Sequence, residues 1–143
     1  MDNISEYLLE VSKYEGAGYR PLIDYDRWRV AVLRFCDDLM PERIERMQRH
    51  NETDEVFVLL EGRCILFLGE GSDAVTSIAA VDMEPLKLYN VKRGAWHSHT
   101  LSRDASVLIV ENRDTTVENS PKVALNEEQR RRIITLANEL RHV

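Results

Sequence analysis

Cysteine is nearly missing from this chain: Cys36 and Cys64 are the two copies in 143 residues. Two are too few for a disulfide scaffold, and their spacing suits no zinc site. Cys64 lies in the apolar run CILFL and reads as a small buried hydrophobe with a reduced thiol. Cys36 is given the same structural role. No apolar run approaches the roughly 20 residues that span a bilayer, which argues against a membrane protein. The opening MDNISEYLLE lacks the basic start and apolar stretch of a signal peptide, so the expected location is the cytoplasm. Positive charge is in deficit, with a formal net charge of -6. An acidic surface repels phosphate backbones, and nucleic acid is therefore a poor partner. There is no internal repeat, low-complexity tract or sign of a second domain. A chain that is 43% hydrophobic and 31% charged suits one soluble domain over 1–143 with a single core.

What is present is mostly β patterning. Trp28, Val30 and Val32 alternate within an aromatic and β-branched stretch from Tyr19 to Phe35. That stretch reads as two strands joined near Asp24–Asp26. Further strand signals fall near 43–50, 55–60, 63–68, 75–81, 86–91 and 106–111, separated by Gly62, Gly69, Gly71, Pro85, Gly94 and the polar cluster 102–105. Many short strands with regular turns predict a closed barrel or sandwich. Helix is expected only at the ends. Ile4, Leu8 and Val11 predict a short N-terminal helix over 4–13. At the other end, Asn126 with Gln129 three places on reads as a capping box. Ile133, Ile134, Ala137 and Leu140 continue it as an apolar stripe, giving a helix over about 126–141 that packs outside the sheet. Arg130–Arg132 reads as a solvated helix face, with Glu127 and Glu128 one turn away.

The chemistry concentrates in two places. In QRHNETDEVFVLLEG (48–62), Gln48 and His50 share a strand face, as do Glu55, Phe57 and Leu59. In RGAWHSH (93–99), a glycine turn leads to His97, with His99 on the same face. The spacing His50, four residues, Glu55, six residues, Gly62, followed later by Gly94-x-x-His97, resembles the two motifs of the cupin superfamily. On a random order of this composition the first triple is expected roughly 0.02 times, and roughly 0.002 times with the second motif added, for spacings chosen with that family in view. The resemblance spans about 45–112. It departs from the family pattern at Gln48 (a histidine in the motif), Glu42 (glycine), Lys92 (proline) and Leu101 (asparagine). The Gln-x-His variant is similar to the metal motif of cupin-type mannose phosphate isomerases.

The resemblance implies a mostly β double-stranded β-helix, a jelly-roll barrel, with one divalent metal inside. It implies Gln48, His50, Glu55 and His97 as ligands, the glutamine through its amide oxygen. Imidazoles and a carboxylate suit Zn, Mn, Fe, Co or Ni. The set leaves a net positive centre with one or two open positions, able to polarise a carbonyl or acidify a bound water.

Each residue has a plainer reading beside this one. His50 can cap a strand by hydrogen bonds, and Glu55 can pair with Arg46 or Arg63. Gln48 can hydrogen-bond without touching metal. His99 is a candidate acid, base or substrate-binding group. Arg46, on the same parity as Gln48, either holds an anionic substrate or makes a structural ion pair. Tyr25, Trp28 and Phe57 are core or pocket wall, while Trp96 points to the opposite strand face from His97 and is expected to pack.

The expected function is metal-dependent isomerase, epimerase or lyase chemistry on a small sugar- or carboxylate-like molecule, with His99 or Glu55 moving a proton. A metal-dependent dioxygenase and a non-catalytic ligand-binding module are the alternatives. A homodimer is expected through the long Tyr19–Phe35 pair of strands.

Overall fold

Strand alternation decides which side chains meet inside this protein, and the sheet order follows from it. The structure is a computed structural model that describes residues 3–141. Strands β1 (Gly18–Tyr25), β2 (Trp28–Arg34), β3 (Arg46–Gln48), β4 (Glu55–Glu61), β5 (Cys64–Glu70), β6 (Ser77–Asp82), β7 (Leu88–Val91), β8 (Trp96–Leu101), β9 (Ser106–Asn112) and β10 (Lys122–Ala124) precede one helix, α1 (Glu127–Arg141). They form two five-stranded sheets, ordered β1-β2-β9-β4-β7 and β10-β3-β8-β5-β6. Every pairing is antiparallel.

The inner faces of the two sheets share one core. Ala31, Leu33, Phe57, Leu59, Val107 and Ile109 come from the first sheet, and Cys64, Leu66 and Leu101 from the second. The period of two explains this set, since Phe57 and Leu59 lie two apart, as do Val107 and Ile109. β5 reads as an unbroken apolar run because it is buried on both faces. Cys64 and Leu66 face inward, whereas Ile65 and Phe67 join Ile133 and Ala137 of α1 in a second core outside the sheet. Truncating a side chain as buried as Phe67 to alanine costs about 3–5 kcal/mol.

α1 begins as expected. The Asn126 side chain accepts from the Gln129 backbone N–H at 2.8 Å, and the Gln129 side chain accepts from the Asn126 N–H at 3.0 Å. The β1–β2 hairpin turns at Asp26, whose φ of 48° is left-handed. Gly62 turns β4 into β5 at φ 71°, where a Cβ would lie 2.6 Å from the Ala105 backbone.

The N-terminal helix expected over 4–13 does not form. One turn closes at Ser5, whose carbonyl accepts from the Leu8 N–H at 2.9 Å and whose hydroxyl accepts from the Tyr7 N–H at 3.2 Å. The chain then runs on without regular structure, with Ile4, Tyr7, Leu8 and Val11 exposed. Ten residues are too short to be helical alone, and within one chain no surface covers this apolar stripe. The strand expected over 43–50 is reduced to Arg46–Gln48, because Pro41–Arg43 forms a 3-10 turn. Both cysteines are free thiols, and burial pushes the Cys64 thiol up to about 12.

Candidate metal centre

His50 leaves β3 and is pinned by its backbone. Its carbonyl accepts from the Gly94 N–H at 2.8 Å, while its neighbours Arg49 and Asn51 donate to Pro121 and Asn119. Gly94, at φ 81°, makes the turn that starts β8 and brings His97 opposite Gln48. Glu55 opens β4 on the inward parity of Phe57. His50, Glu55 and His97 are all buried, at 7%, 6% and 5% exposure.

Glu55 Oε1 sits between the two imidazoles, 3.2 Å from His50 Nε2 and 3.1 Å from His97 Nε2. The other ring nitrogens decide what those contacts mean. His97 Nδ1 lies 3.0 Å from the Ala95 carbonyl, which can only accept, so Nδ1 carries the proton. His50 Nδ1 lies 2.7 Å from Ser120 Oγ. The Ser120 hydroxyl donates to Asn119 Oδ1, an oxygen that also accepts from the Thr116 backbone N–H, so Ser120 must accept from His50. In the neutral imidazoles both Nε2 atoms therefore present lone pairs to a carboxylate oxygen. Acceptors do not approach to 3.1 Å unless a proton or a cation lies among them. The three ligand atoms all lie within 4.8 Å of one another, and the buried His–Glu–His group fits a metal site.

Without metal, protons must serve. Burial pushes the Glu55 carboxyl up, but hydrogen bonds from His50 and His97 outweigh it and hold the group well below the usual carboxylate range. Burial likewise lowers His97, and its bond to Glu55 more than compensates, leaving it raised. His99 has no such partner. Burial and the nearby His97 hold it down at about 4.

No family model matches the sequence, and no curated protein matches it. Solved structures do. A variant of Streptomyces Pac13 with uridine superposes at TM-score 0.54 and 10% identity, covering 83% of this chain and 97% of its own. Pac13 is described as a nucleoside dehydratase. A cupin-2 domain from Rhodospirillum rubrum gives TM-score 0.50 at 16% identity, with coverage of 82% and 74%. Oxalate decarboxylase from Bacillus subtilis gives 0.50 at 13% identity, covering 68% of this chain and 24% of its own. The chain has the cupin fold.

Within this fold the sequence-derived residues separate into two groups. Gln48, His50, Glu55, Phe57, His97 and His99 all line one cavity of about 370 Å³ between the sheets. Gln48 is half-buried there, and its amide nitrogen donates to the Ser120 carbonyl at 3.3 Å. His99 packs near Phe57, with ring centres 5.9 Å apart, and its Nδ1 is buried without a partner. Arg46 is exposed and lines a different cavity, one that Glu55 does not reach. Glu55 pairs with neither arginine considered for it, since Arg63 binds Asp82 at 2.8 Å. Trp96 packs as expected, buried in the outer core with its Nε1 donating to the Gly71 carbonyl at 3.0 Å. Tyr25 and Trp28 are exposed and lie against each other, outside the core and the metal cavity.

Among the cavity residues that escaped the sequence reading, Tyr19, Glu111 and Ser120 bear on the chemistry. Glu111 is buried at 5% exposure beside Glu55, and the Tyr19 hydroxyl donates to its carboxylate. Burial and the adjacent Glu55 push Glu111 up to about 8, and burial with Glu111 raises Tyr19 in turn. The signal for Glu111 was available, because it shares strand parity with Val107 and Ile109. Ser120 lies in a loop, where no periodicity points.

Proposed function

We propose that this cupin holds one divalent metal on His50, Glu55 and His97, with Gln48 beside them to add its amide oxygen, and acts on a small polar molecule by proton-transfer chemistry of isomerase, epimerase or lyase type. One observation carries the reading: two imidazole lone pairs converge on a single buried carboxylate oxygen. Two nitrogens and an oxygen suit Zn, Mn, Fe, Co or Ni. A metal so held would polarise a carbonyl or hydroxyl of the bound molecule.

The chain's own groups divide the remaining work. Ser120 and the Ala95 carbonyl orient the two imidazoles. With Glu55 committed to both histidines, His99 and Glu111 are the titratable groups of the cavity left to bind substrate or move its proton. Leu33, Phe57 and Ile109 keep one wall of the cavity apolar. The dehydratase and decarboxylase among the structural neighbours support an enzyme over a passive binder.

The test is metal content by mass spectrometry after exposure to Zn, Mn, Fe and Ni. Wild type is expected to retain about one equivalent of at least one metal, and Glu55→Ala and His97→Ala less than about a tenth of that. Wild-type protein that keeps none sinks the proposal.

The homodimer belongs to the same proposal. The outer edge of β1 is unpaired in its sheet, and the exposed Ile4, Tyr7, Leu8 and Val11 precede it. Light scattering that finds only monomer removes that part alone. Among the described residues no helix is long and apolar enough to cross a membrane.

A further inference from the structure

β3 and β8 are joined by one register pair, Gln48 opposite His97. Beyond it the strands part, and a cavity of about 470 Å³ opens between them, lined by Arg46 and Met47 on one side and Ser98 and His99 on the other. The far side is held by a side chain instead of a ladder, with the Thr100 hydroxyl donating to the Leu39 carbonyl at 2.6 Å. Gln48, His97 and His99 line both this opening and the cavity of Glu55. The second sheet is therefore breached beside the metal centre.

The charges around the breach run against those of the chain. Arg43, Arg46 and Lys122 line it, together with Asp38 and Glu45. Glu45 is engaged elsewhere, 3.6 Å from Arg130 of α1. Among the described residues no carboxylate comes within ion-pair distance of Arg43, Arg46 or Lys122. With Glu45 drawn to Arg130, Arg43, Arg46 and Lys122 outweigh Asp38 and leave a local excess of positive charge on a chain of net charge -6. At the inner end lies His99, whose buried Nδ1 has no partner among the described residues. A buried polar atom without a partner costs free energy unless something else supplies one.

We infer that this breach binds a small organic anion, its carboxylate or phosphate group held by Arg43, Arg46 and Lys122 while its other end reaches His99. The inference rests on the metal reading only for what happens at that far end. The cavity has the size of a small-molecule site, and the two guanidinium forks match the oxygens of either group. The preferred substrates are thus small acids or phosphate esters in place of neutral sugars.

Calorimetry with inorganic phosphate and, separately, with succinate tests this on protein whose metal content has been measured. Saturable binding of at least one probe is expected, weakening as NaCl is added. Arg46→Ala and Lys122→Ala should each weaken it at least tenfold while leaving the metal content unchanged. Arg103→Ala, a cation seated over Phe35 instead of at the breach, should have no effect. Binding of phosphate alone or of succinate alone identifies the group recognised. Absence of saturable binding by both probes, or equal affinity in Arg46→Ala, overturns the inference. Anion binding that depends on Arg46 in protein that retains no metal after exposure to Zn, Mn, Fe and Ni overturns the metal reading and leaves the anion site standing.

Discussion

Gln48 stands directly opposite His97, and this single pair is the only register contact between β3 and β8. It ties the loop that carries His50 to the strand that carries His97. The Gln48 amide nitrogen is given to the Ser120 carbonyl, and the Ser120 hydroxyl accepts from His50. Ser120 thus positions the His50 imidazole from outside, and the Gln48 amide, its nitrogen held by the Ser120 carbonyl, keeps its oxygen for the metal. Gln48→Ala and Ser120→Ala are each expected to lower metal affinity by about 10- to 100-fold without abolishing binding. Competition with a chelator measures this. Unchanged affinity in Ser120→Ala would show that the His50 ring needs no such anchor.

The metal-free protein should show opposing pH effects from two buried groups. His99 is held down at about 4, below its unfolded value of about 6.5. Its contribution to stability is present above pH 6.5 and is lost as pH falls towards 4, because the unfolded chain binds the proton first. Glu111 is pushed up to about 8, so its contribution is present below its unfolded value and is lost as pH rises through 8. Urea unfolding in EDTA should find His99→Phe spared at most about 2 kcal/mol of the loss that wild type suffers between pH 7.5 and pH 5. Glu111→Gln should lose less than wild type between pH 5 and pH 8.5. Parallel profiles for wild type and both variants would contradict these assignments.

Two glycines with similar backbone angles should respond differently to alanine. At Gly62 the added Cβ meets the Ala105 backbone at 2.6 Å, whereas at Gly94 it meets nothing within 4 Å. Gly94→Ala carries only the left-handed backbone strain, about 1 kcal/mol, and Gly62→Ala should cost about 2–3 kcal/mol. Chemical denaturation that ranks them the other way would mean the β4–β5 turn relaxes freely.

The helix cap can be checked by itself. Asn126→Ala removes one acceptor of the reciprocal pair with Gln129 and should cost about 1 kcal/mol of stability. Asn126→Ser should recover most of it, since serine also accepts at this position. Equal losses in both would point to a packing role for the asparagine.

The failures of the sequence reading have physical causes. The stripe Ile4, Leu8, Val11 has helical spacing, but periodicity reports a face to be covered and not the surface that covers it. Arg46 has the parity of Gln48, yet β3 is only three residues long, and where the strands part that parity takes Arg46 to a second cavity, which Gln48 and His99 also line. Glu111 was overlooked because a carboxylate at the end of an apolar strand reads as its polar terminus. Its partner Tyr19 is 92 residues away in sequence, beyond the reach of any local pattern.

Local chemistry alone determined the β character, the alternating inward residues, the capped C-terminal helix and the spacing of His50 and Glu55. These depend on neighbours a few positions away, linked through fixed backbone geometry. The tertiary structure decided that Ser120 orients the His50 ring and that the His50 and His97 lone pairs meet on one oxygen. It also decided that Glu111 joins the cavity and that β3 separates from β8 beside it. Those outcomes depend on segments distant along the chain, brought together by the packing of two sheets around a shared core.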